Sequence, residues 1–162
     1  MKKYFKYIII LILLVLCSLL VWNFYQKKND NTKDYENLLC GIKIECADIL
    51  TDINSLKEEK RSLIPDDGII YESAEVEFSD GETVFDVLKK VLKDEKIPFE
   101  YSNTPPYNTA YIEGINNIYV LDCGERSGWL YSVNDEEPMV ACSDYVLKNG
   151  DKITFSYKIK TY

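Results

Sequence analysis

The sequence predicts an α+β domain, in which a mixed β-sheet packs against one amphipathic helix, preceded by a single N-terminal transmembrane helix. Three observations predict this architecture. Short apolar segments separated by turn residues recur between residues 39 and 159, residues 84–92 have apolar side chains at helical spacing, and residues 8–22 are apolar except for Ser18. After the N-terminal segment about 120 residues remain, which is enough for one domain core.

Residues 1–25 are predicted to be a signal anchor that crosses the membrane with residues 5–25. At about 1.5 Å per residue, a helix of that length spans roughly 30 Å, the thickness of the hydrocarbon layer. Aromatic residues stand at both ends, as they do at membrane interfaces. Lys2, Lys3 and Lys6 favour a cytoplasmic N-terminus. The protein is therefore predicted to be a single-pass protein of the cell membrane with an extracytoplasmic C-terminal domain.

Three other interpretations of this segment compete with the anchor. A cleavable signal peptide requires small residues before the cleavage site, and residues 19–39 contain no such motif. A lipoprotein anchor at Cys17 requires a small residue before it, where Leu16 stands. A buried helix of a soluble protein fits neither the length nor the flanking residues. An uncleaved anchor is therefore favoured.

The remaining chain is predicted to be a polar linker at residues 26–38 and one folded domain at 39–162. The linker is polar and has no periodicity. The first predicted elements of the domain are a strand at 39–46, a short helix or helical turns at 47–56, a turn at 65–68 and a strand at 74–78.

The clearest element of the domain is a helix that begins after Thr83. This residue is a predicted N-cap, and Asp86 stands three residues later to complement it. The helix is predicted to end before Pro98. Its apolar residues form one stripe and comprise Val84, Val87, Leu88, Val91 and Leu92.

The second half of the domain is predicted to consist of short strands. Pro105 and Pro106 make residues 103–108 an extended loop. The predicted strands are 97–101, 110–113, 118–122, 128–133, 139–142 and 153–159. Turns separate them at 114–117, 134–138 and 149–151.

Composition excludes several classes of function. Residues 26–162 contain all 27 acidic residues and 16 of the 19 basic ones, a net charge of −11 that repels the phosphate backbone of nucleic acids. The chain has no histidine, so it lacks the commonest general base and metal ligand. No catalytic residues and no metal site are therefore predicted, and the protein is predicted not to be an enzyme.

Six stretches carry a resemblance to a known family. They are 81–88 (GETVFDVL), 111–117 (YIEGINN), 121–124 (LDCG), 127–134 (SGWLYSVN), 142–145 (CSDY) and 147–151 (LKNGD). On these stretches, residues 39–158 resemble the transcobalamin-like C-terminal domain family. The resemblance implies a β-grasp-like fold, in which a sheet wraps one helix.

The resemblance also implies a function and a place. In vertebrate cobalamin carriers such a domain covers one face of cobalamin beside a larger helical domain, which is missing here. Small bacterial relatives are surface or secreted proteins. The implied function is capture of cobalamin, another corrinoid or another small ligand at the cell surface, with no cofactor required and with a transporter or surface protein as partner.

One strand supplies the candidate binding residues. Residues 128–134 place Trp129, Tyr131 and Val133 on one face. Trp129 and Tyr131, with Tyr107 and Tyr145 from loops, could form an aromatic platform for a planar ligand, although core packing is the favoured role for Trp129. By analogy with cobalamin carriers, the hairpin at Asn134 would also contact the ligand.

Cys123 and Cys142 stand beside strands that flank residues 128–134, and a disulfide between them is predicted. Such a bond would close a loop of about 20 residues and contribute roughly 3 kcal/mol. Cys40 and Cys46 are too far apart to pair if they lie in one strand. A zinc site of four cysteines is the alternative, but the chain has no C-x-x-C motif.

Two further functions remain as alternatives to ligand capture. An acidic surface rich in tyrosine also fits a non-catalytic adhesion or protein-interaction domain. An enzyme that uses paired carboxylates is the third hypothesis, but nothing in the sequence selects a pair. The acidic clusters lack the spacing of a calcium-binding loop and are interpreted as a solvated surface.

Overall fold

The computed structural model describes residues 14–22 and 38–160. The chain divides into two compact units, residues 1–36 and residues 37–162.

In the first unit, residues 14–22 form a helix whose apolar side chains are exposed. Within the described residues, no helix is both long enough and apolar enough to cross a membrane. The predicted span over residues 5–25 lies partly outside the described residues, and the predicted linker lies almost wholly outside them. Both stay predictions.

The second unit contains two β-sheets and one principal helix. Its elements in chain order are β1 (Leu38–Glu45), α1 (Ala47–Thr51), 3₁₀ turns at Ile53–Ser55 and Glu58–Leu63, β2 (Ile69–Phe78), α2 (Val84–Asp94), β3 (Phe99–Thr104), β4 (Thr109–Ile115), β5 (Ile118–Tyr119), β6 (Gly128–Val133) and β7 (Lys152–Lys158).

The larger sheet has four strands in the order β2-β1-β7-β6 and is mixed, because β1 and β7 are parallel and the other pairs antiparallel. The smaller sheet has the order β3-β4-β5 and is antiparallel. The predicted α+β class with a mixed sheet is confirmed. The expectation of one sheet is corrected to two, because β6 pairs with β7 and not with β4.

The centre of the larger sheet is formed by β1 and β7. Ile42 and Ile44 of β1 stand beside Ile153 and Phe155 of β7, and all four side chains are fully buried. Alternate residues of both strands point to the same core because side chains alternate across a strand. Each such apolar side chain contributes roughly 1.5–3 kcal/mol when it leaves water.

Helix α2 lies where it was predicted, after Thr83 and before Pro98. The Asp86 amide donates to Thr83 Oγ1 at 3.2 Å, and the Thr83 amide donates to the Asp86 carboxylate at 3.1 Å, so both halves of a capping box are present. The six residues of the helix that are buried are the five of the predicted stripe and, in addition, Phe85.

The segment at 139–142 was wrongly predicted to be a strand. Its backbone instead caps the N-terminus of helix α2, where the Cys142 carbonyl accepts a hydrogen bond from the Phe85 amide at 3.0 Å. The predicted strand at 118–122 is reduced to Ile118–Tyr119, and β2 begins at Ile69, before the predicted residue 74.

The predicted disulfide between Cys123 and Cys142 is absent, because both are free, buried thiols. The two cysteines lie in different surroundings. The Cys123 amide donates to Ser127 Oγ, which lies 2.9 Å from the buried Tyr157 hydroxyl, whereas Cys142 lines a groove beside Tyr131.

Candidate functional site

A groove of about 320 Å³ lies between β4 of the smaller sheet and β6 of the larger sheet. Thr109–Ile112 line one side and Trp129–Tyr131 line the other. A third side is formed by the segment 137–142, of which Glu137, Pro138, Ala141 and Cys142 line the groove, and Phe155 of β7 also lines it. Its volume is at the lower end of the range for small-molecule sites. The lining is mostly apolar and aromatic with a few polar groups, as is typical of such sites.

Tyr131 is held in the groove at both ends of its side chain. Its ring stacks on Phe155 with 5.9 Å between ring centroids, and its hydroxyl donates to the Val140 carbonyl at 2.6 Å. Burial raises the pKa of Tyr131, so the hydroxyl stays protonated and keeps this bond. The bond ties β6 to the segment that closes one side of the groove.

Trp129 is mainly a core residue. Its indole Nε1 donates to the Ile118 carbonyl at 2.9 Å, and its ring meets Tyr157 edge-on at 5.4 Å between centroids. Only 9% of its surface is exposed. Only this small exposed part of the side chain lines the groove, so Trp129 cannot offer a full ring face as a platform for a ligand.

Exposed apolar residues are found in the groove's lining and next to it. Tyr111 of β4 lines the groove and is 50% exposed, and Met139 and Val140 belong to the segment that closes its third side. Met139 is 100% exposed. Apolar groups that protrude in this way beside a cleft are typical of contact with a ligand or another protein.

The polar groups of the lining are acidic or neutral. Glu137 and the Cys142 thiol line the groove, and among its described lining residues none is basic. Burial raises the pKa of Cys142 to about 11, so the thiol is neutral at pH 7. The groove therefore suits neutral or cationic ligands and disfavours anions.

The other three predicted site residues lie elsewhere. Tyr107 is 80% exposed and does not line the groove. The Asn134 side chain is used structurally, since its Nδ2 donates to Asp151 Oδ1 and its Oδ1 accepts the Lys152 amide, both at 2.9 Å. Tyr145 is half-buried against the core. The structure thus brings together Trp129 and Tyr131 but not the remaining three.

Sequence reasoning missed several groove residues, notably Ala110 and Tyr111 of β4 and the 137–142 segment. A strand was predicted at 110–113, but the sequence carried no information on which strand edge would stay unpaired. Only the short length of β5, which pairs with β4 at Gly114 and Ile115 alone, leaves this part of β4 facing the groove.

A larger depression of about 420 Å³ lies on the larger sheet over β1, β2 and β7. It is lined by charged side chains that include Lys43, Glu72 and Lys152, and it has no aromatic residue. The groove between β4 and β6 is the better candidate site because of its aromatic lining. Among the described residues, no three Cys, Asp or Glu side chains come together to hold a metal ion.

Residues 81–158, from just before α2 to the end of β7, match the model of a family described as a domain of unknown function, DUF4430. The match covers slightly less than half of the chain, and it shows a similarity of this part of the chain to that family. The matched residues include both long sides of the groove. They leave out β1 and β2, although these strands complete the larger sheet.

Two solved structures are similar to this chain. Haptocorrin in complex with Cbi aligns with a TM-score of 0.55 at 14% identity, over 76% of this chain and 25% of haptocorrin. The chain thus spans a quarter of haptocorrin, and the likeness is one of fold. The predicted resemblance to the transcobalamin-like C-terminal domain is confirmed at that level.

The second is a Ruminococcus gnavus protein, described only as a candidate metal binding protein. It aligns with a TM-score of 0.43 at 15% identity, over 77% of this chain and 99% of its own. No curated protein sequence matches the chain.

Proposed function

We propose that this chain is a membrane-tethered, extracytoplasmic binding module that captures a small planar ligand, with a corrinoid as the first candidate, in the groove between β4 and β6. The observation that carries the proposal is the groove itself, with its apolar and aromatic lining and its exposed apolar neighbours. No catalytic step is assigned to it.

Two further points support a corrinoid. The fold resembles haptocorrin, whose structure is a complex with Cbi. Strand edges border the groove, and their backbone N–H and C=O groups have the same hydrogen-bonding chemistry as the amide side chains of a corrin ring. The groove, at about 320 Å³, covers only part of so large a ligand. Capture would therefore be one-sided, with the opposite face of the ligand left open for a transporter or other partner.

A membrane tether would make one-sided capture of a ligand useful. A membrane-anchored domain keeps its bound ligand within reach of proteins in the same membrane, because tethering raises the effective concentration of the two partners. Modest affinity is then sufficient for transfer. The acidic surface does not oppose an uncharged or cationic ligand.

The test is an equilibrium titration of the full chain in detergent with cobalamin and with cobinamide. Trp22→Phe removes one of the two tryptophans and leaves Trp129 as the fluorescent reporter at the groove. We expect saturable quenching and a shift in corrinoid absorbance, with free N-acetyltryptophanamide correcting for absorbed light. No saturable change at high micromolar ligand would overturn the corrinoid assignment.

A matched pair of variants locates the site. Tyr111→Ala removes an exposed groove aromatic and is expected to weaken binding roughly fivefold, from about 1 kcal/mol of lost aromatic contact. Leu50→Ala removes an exposed apolar residue of α1 outside the groove and should leave affinity unchanged. Equal effects of both variants would place the ligand elsewhere.

A further inference from the structure

Strand β6 has one paired edge and one open edge. The Asn134 amide donates to the Lys152 carbonyl at 2.8 Å, next to the register pair Val133 and Ile153. Backbone groups alternate between the two edges along an antiparallel strand. Every second residue from Trp129 to Val133 therefore points its N–H and C=O away from β7.

Of these residues, Val133 has a partner on that side. It exchanges two backbone hydrogen bonds with Glu136, at 2.9 and 3.1 Å, which confirms the direction of the alternation. Within residues 14–22 and 38–160, no strand pairs with Trp129 or Tyr131 on this side, and no backbone hydrogen bond is made there. Their N–H and C=O groups are left open to the groove.

The opposite wall of the groove is also an incompletely paired strand. β5 pairs with β4 at Gly114 and Ile115 alone, so in the described part of the chain residues 109–112 have no neighbouring strand on the groove side. One group there is satisfied by a side chain, since the Ala110 amide donates to Ser143 Oγ at 3.1 Å. The groove thus lies between two strand edges that retain hydrogen-bonding capacity.

The two edges of the larger sheet differ in their protection. Folded proteins protect edge strands with charged side chains, because an unprotected edge pairs with other chains. The edge strand β2 carries exposed Glu72, Glu75 and Glu77. The open part of β6 is Trp129–Tyr131 and carries no charge. An edge left unprotected in this way is suited to strand addition.

Charge indicates which peptides fit. Residues 26–162 carry a net charge of −11, and Glu137 lines the groove. Asp144 lies close enough to raise the pKa of both Tyr131 and Cys142, after burial as the larger cause. Acidic peptides are repelled from this surface, and neutral or basic ones are not.

We propose that the open edge of β6 accepts an extended, neutral or basic peptide segment of another protein as an added strand, whose apolar side chains enter the groove. The backbone groups of Trp129 and Tyr131 supply the hydrogen bonds, and the lining between them and Tyr111 supplies apolar contact. This adds a protein partner to the same groove, so peptide and small ligand compete for it.

The probe is a fluorescein-labelled octapeptide in which valine alternates with lysine and threonine. It is titrated into the full chain in detergent without any corrinoid, so that the outcome is independent of the small-ligand proposal. Two matched peptides carry N-methyl groups, one on the valines and the other on the alternate residues. We expect the parent peptide to bind and one methylated peptide to lose at least tenfold in affinity. The other should be nearly unaffected, because only one edge of an added strand faces β6.

Hydrogen exchange of the backbone amides gives the second readout. On binding, the Trp129 and Tyr131 amides should exchange at least tenfold more slowly, whereas Leu130 and Ser132 already point to β7 and should change little. Binding without this protection, equal loss with both methylated peptides, or no binding of the parent peptide at millimolar concentration would each overturn the proposal.

Discussion

At the scale of single residues, burial decides the chemistry of the cysteines. Cys40, Cys46, Cys123 and Cys142 are all buried, and burial raises the pKa of each thiol. The pKa rises from 9.0 to about 11 for Cys40 and Cys142 and to about 12 for Cys46. A thiolate is the reactive form of cysteine, so these four residues are core side chains and not nucleophiles.

The raised thiol pKa values predict alkaline destabilisation. Above pH 9 the unfolded chain loses thiol protons that the folded chain retains, so the free energy of unfolding falls as pH rises from 9 toward 11. Urea unfolding at pH 8, 9 and 10.5 measures this. Cys46→Ala is less stable at pH 8 but should lose less between pH 8 and 10.5. A loss identical to that of the wild type would contradict the assignment.

Gly68 is required by its surroundings. Its φ is +73°, and a Cβ placed there would lie 2.4 Å from Ala47 Cα. Gly68→Ala is expected to destabilise by more than the roughly 1–3 kcal/mol of a left-handed backbone alone. Gly81→Ala is the control, because φ there is +87° but no atom lies within 4 Å. Equal unfolding free energies of the two variants would contradict the prediction, since they would mean that the backbone at Ala47 moves away from the new Cβ at little cost.

At the scale of secondary structure elements, helix α2 is the best example of local signals agreeing with the fold. Cap residues, apolar spacing and the stop before Pro98 all predicted it, and the tertiary contacts reinforce it. The Val84 and Phe85 amides, which no turn of the helix itself can satisfy, donate to Tyr145 and Cys142 carbonyls at 3.0 Å.

The cap of α2 gives a prediction for this element. Thr83→Ala removes the hydroxyl that bonds both the amide and the carboxylate of Asp86, and should cost about 1 kcal/mol in urea unfolding. Thr51→Ala, whose hydroxyl bonds a carbonyl of its own short helix at 2.8 Å, is the control and should cost less.

The same cap has a pH dependence. Burial opposes ionisation of Asp86, but hydrogen bonds from Thr83 and contact with Lys89 outweigh it and lower the Asp86 pKa from 3.8. Its contribution is therefore present above pH 3.8 and is lost as pH falls through the lowered value. The stability difference between wild type and Asp86→Asn should shrink between pH 7 and pH 3. A constant difference would mean that the carboxylate charge does not matter.

At the scale of the whole molecule, the proposed function depends on the anchor as much as on the groove. The signal anchor at residues 1–25 is a proposal from the sequence, and residues 37–162 form a compact unit of their own. A groove of about 320 Å³ covers only one side of a corrinoid, so a partner protein must cover the other side. The anchor would hold the domain close to such a partner.

The anchor predicts where the protein fractionates. Full-length protein should stay with membranes during an alkaline carbonate wash, and a chain lacking residues 1–25 should not be retained there. Protease added outside intact cells or spheroplasts should digest the domain of the full-length protein. Release of the full-length protein by the wash, or protection from external protease, would contradict the tether and its orientation.

The sequence by itself determined those features that depend on near neighbours in the chain. Short apolar segments bounded by turn residues predicted β1, β6 and β7, because both the segments and the turns are visible in the sequence. The N-cap at Thr83 and the apolar stripe along residues 84–92 predicted α2, because both are patterns of residues near one another in the chain. The six family stretches predicted the kind of fold, which its likeness to haptocorrin confirmed.

Only the tertiary structure decided which residues meet. Trp129 is largely in the core, where its indole bonds the Ile118 carbonyl. The Asn134 side chain bonds Asp151 and Lys152 at the start of β7. These partners lie 11 or more residues away in the chain. Among the described residues, the groove exists because β5 is too short to cover β4 and no strand pairs with Trp129–Tyr131 on the side away from β7. Pairing between distant strands leaves no local trace in the sequence, and so the binding edge was found in the fold and not in the pattern of residues.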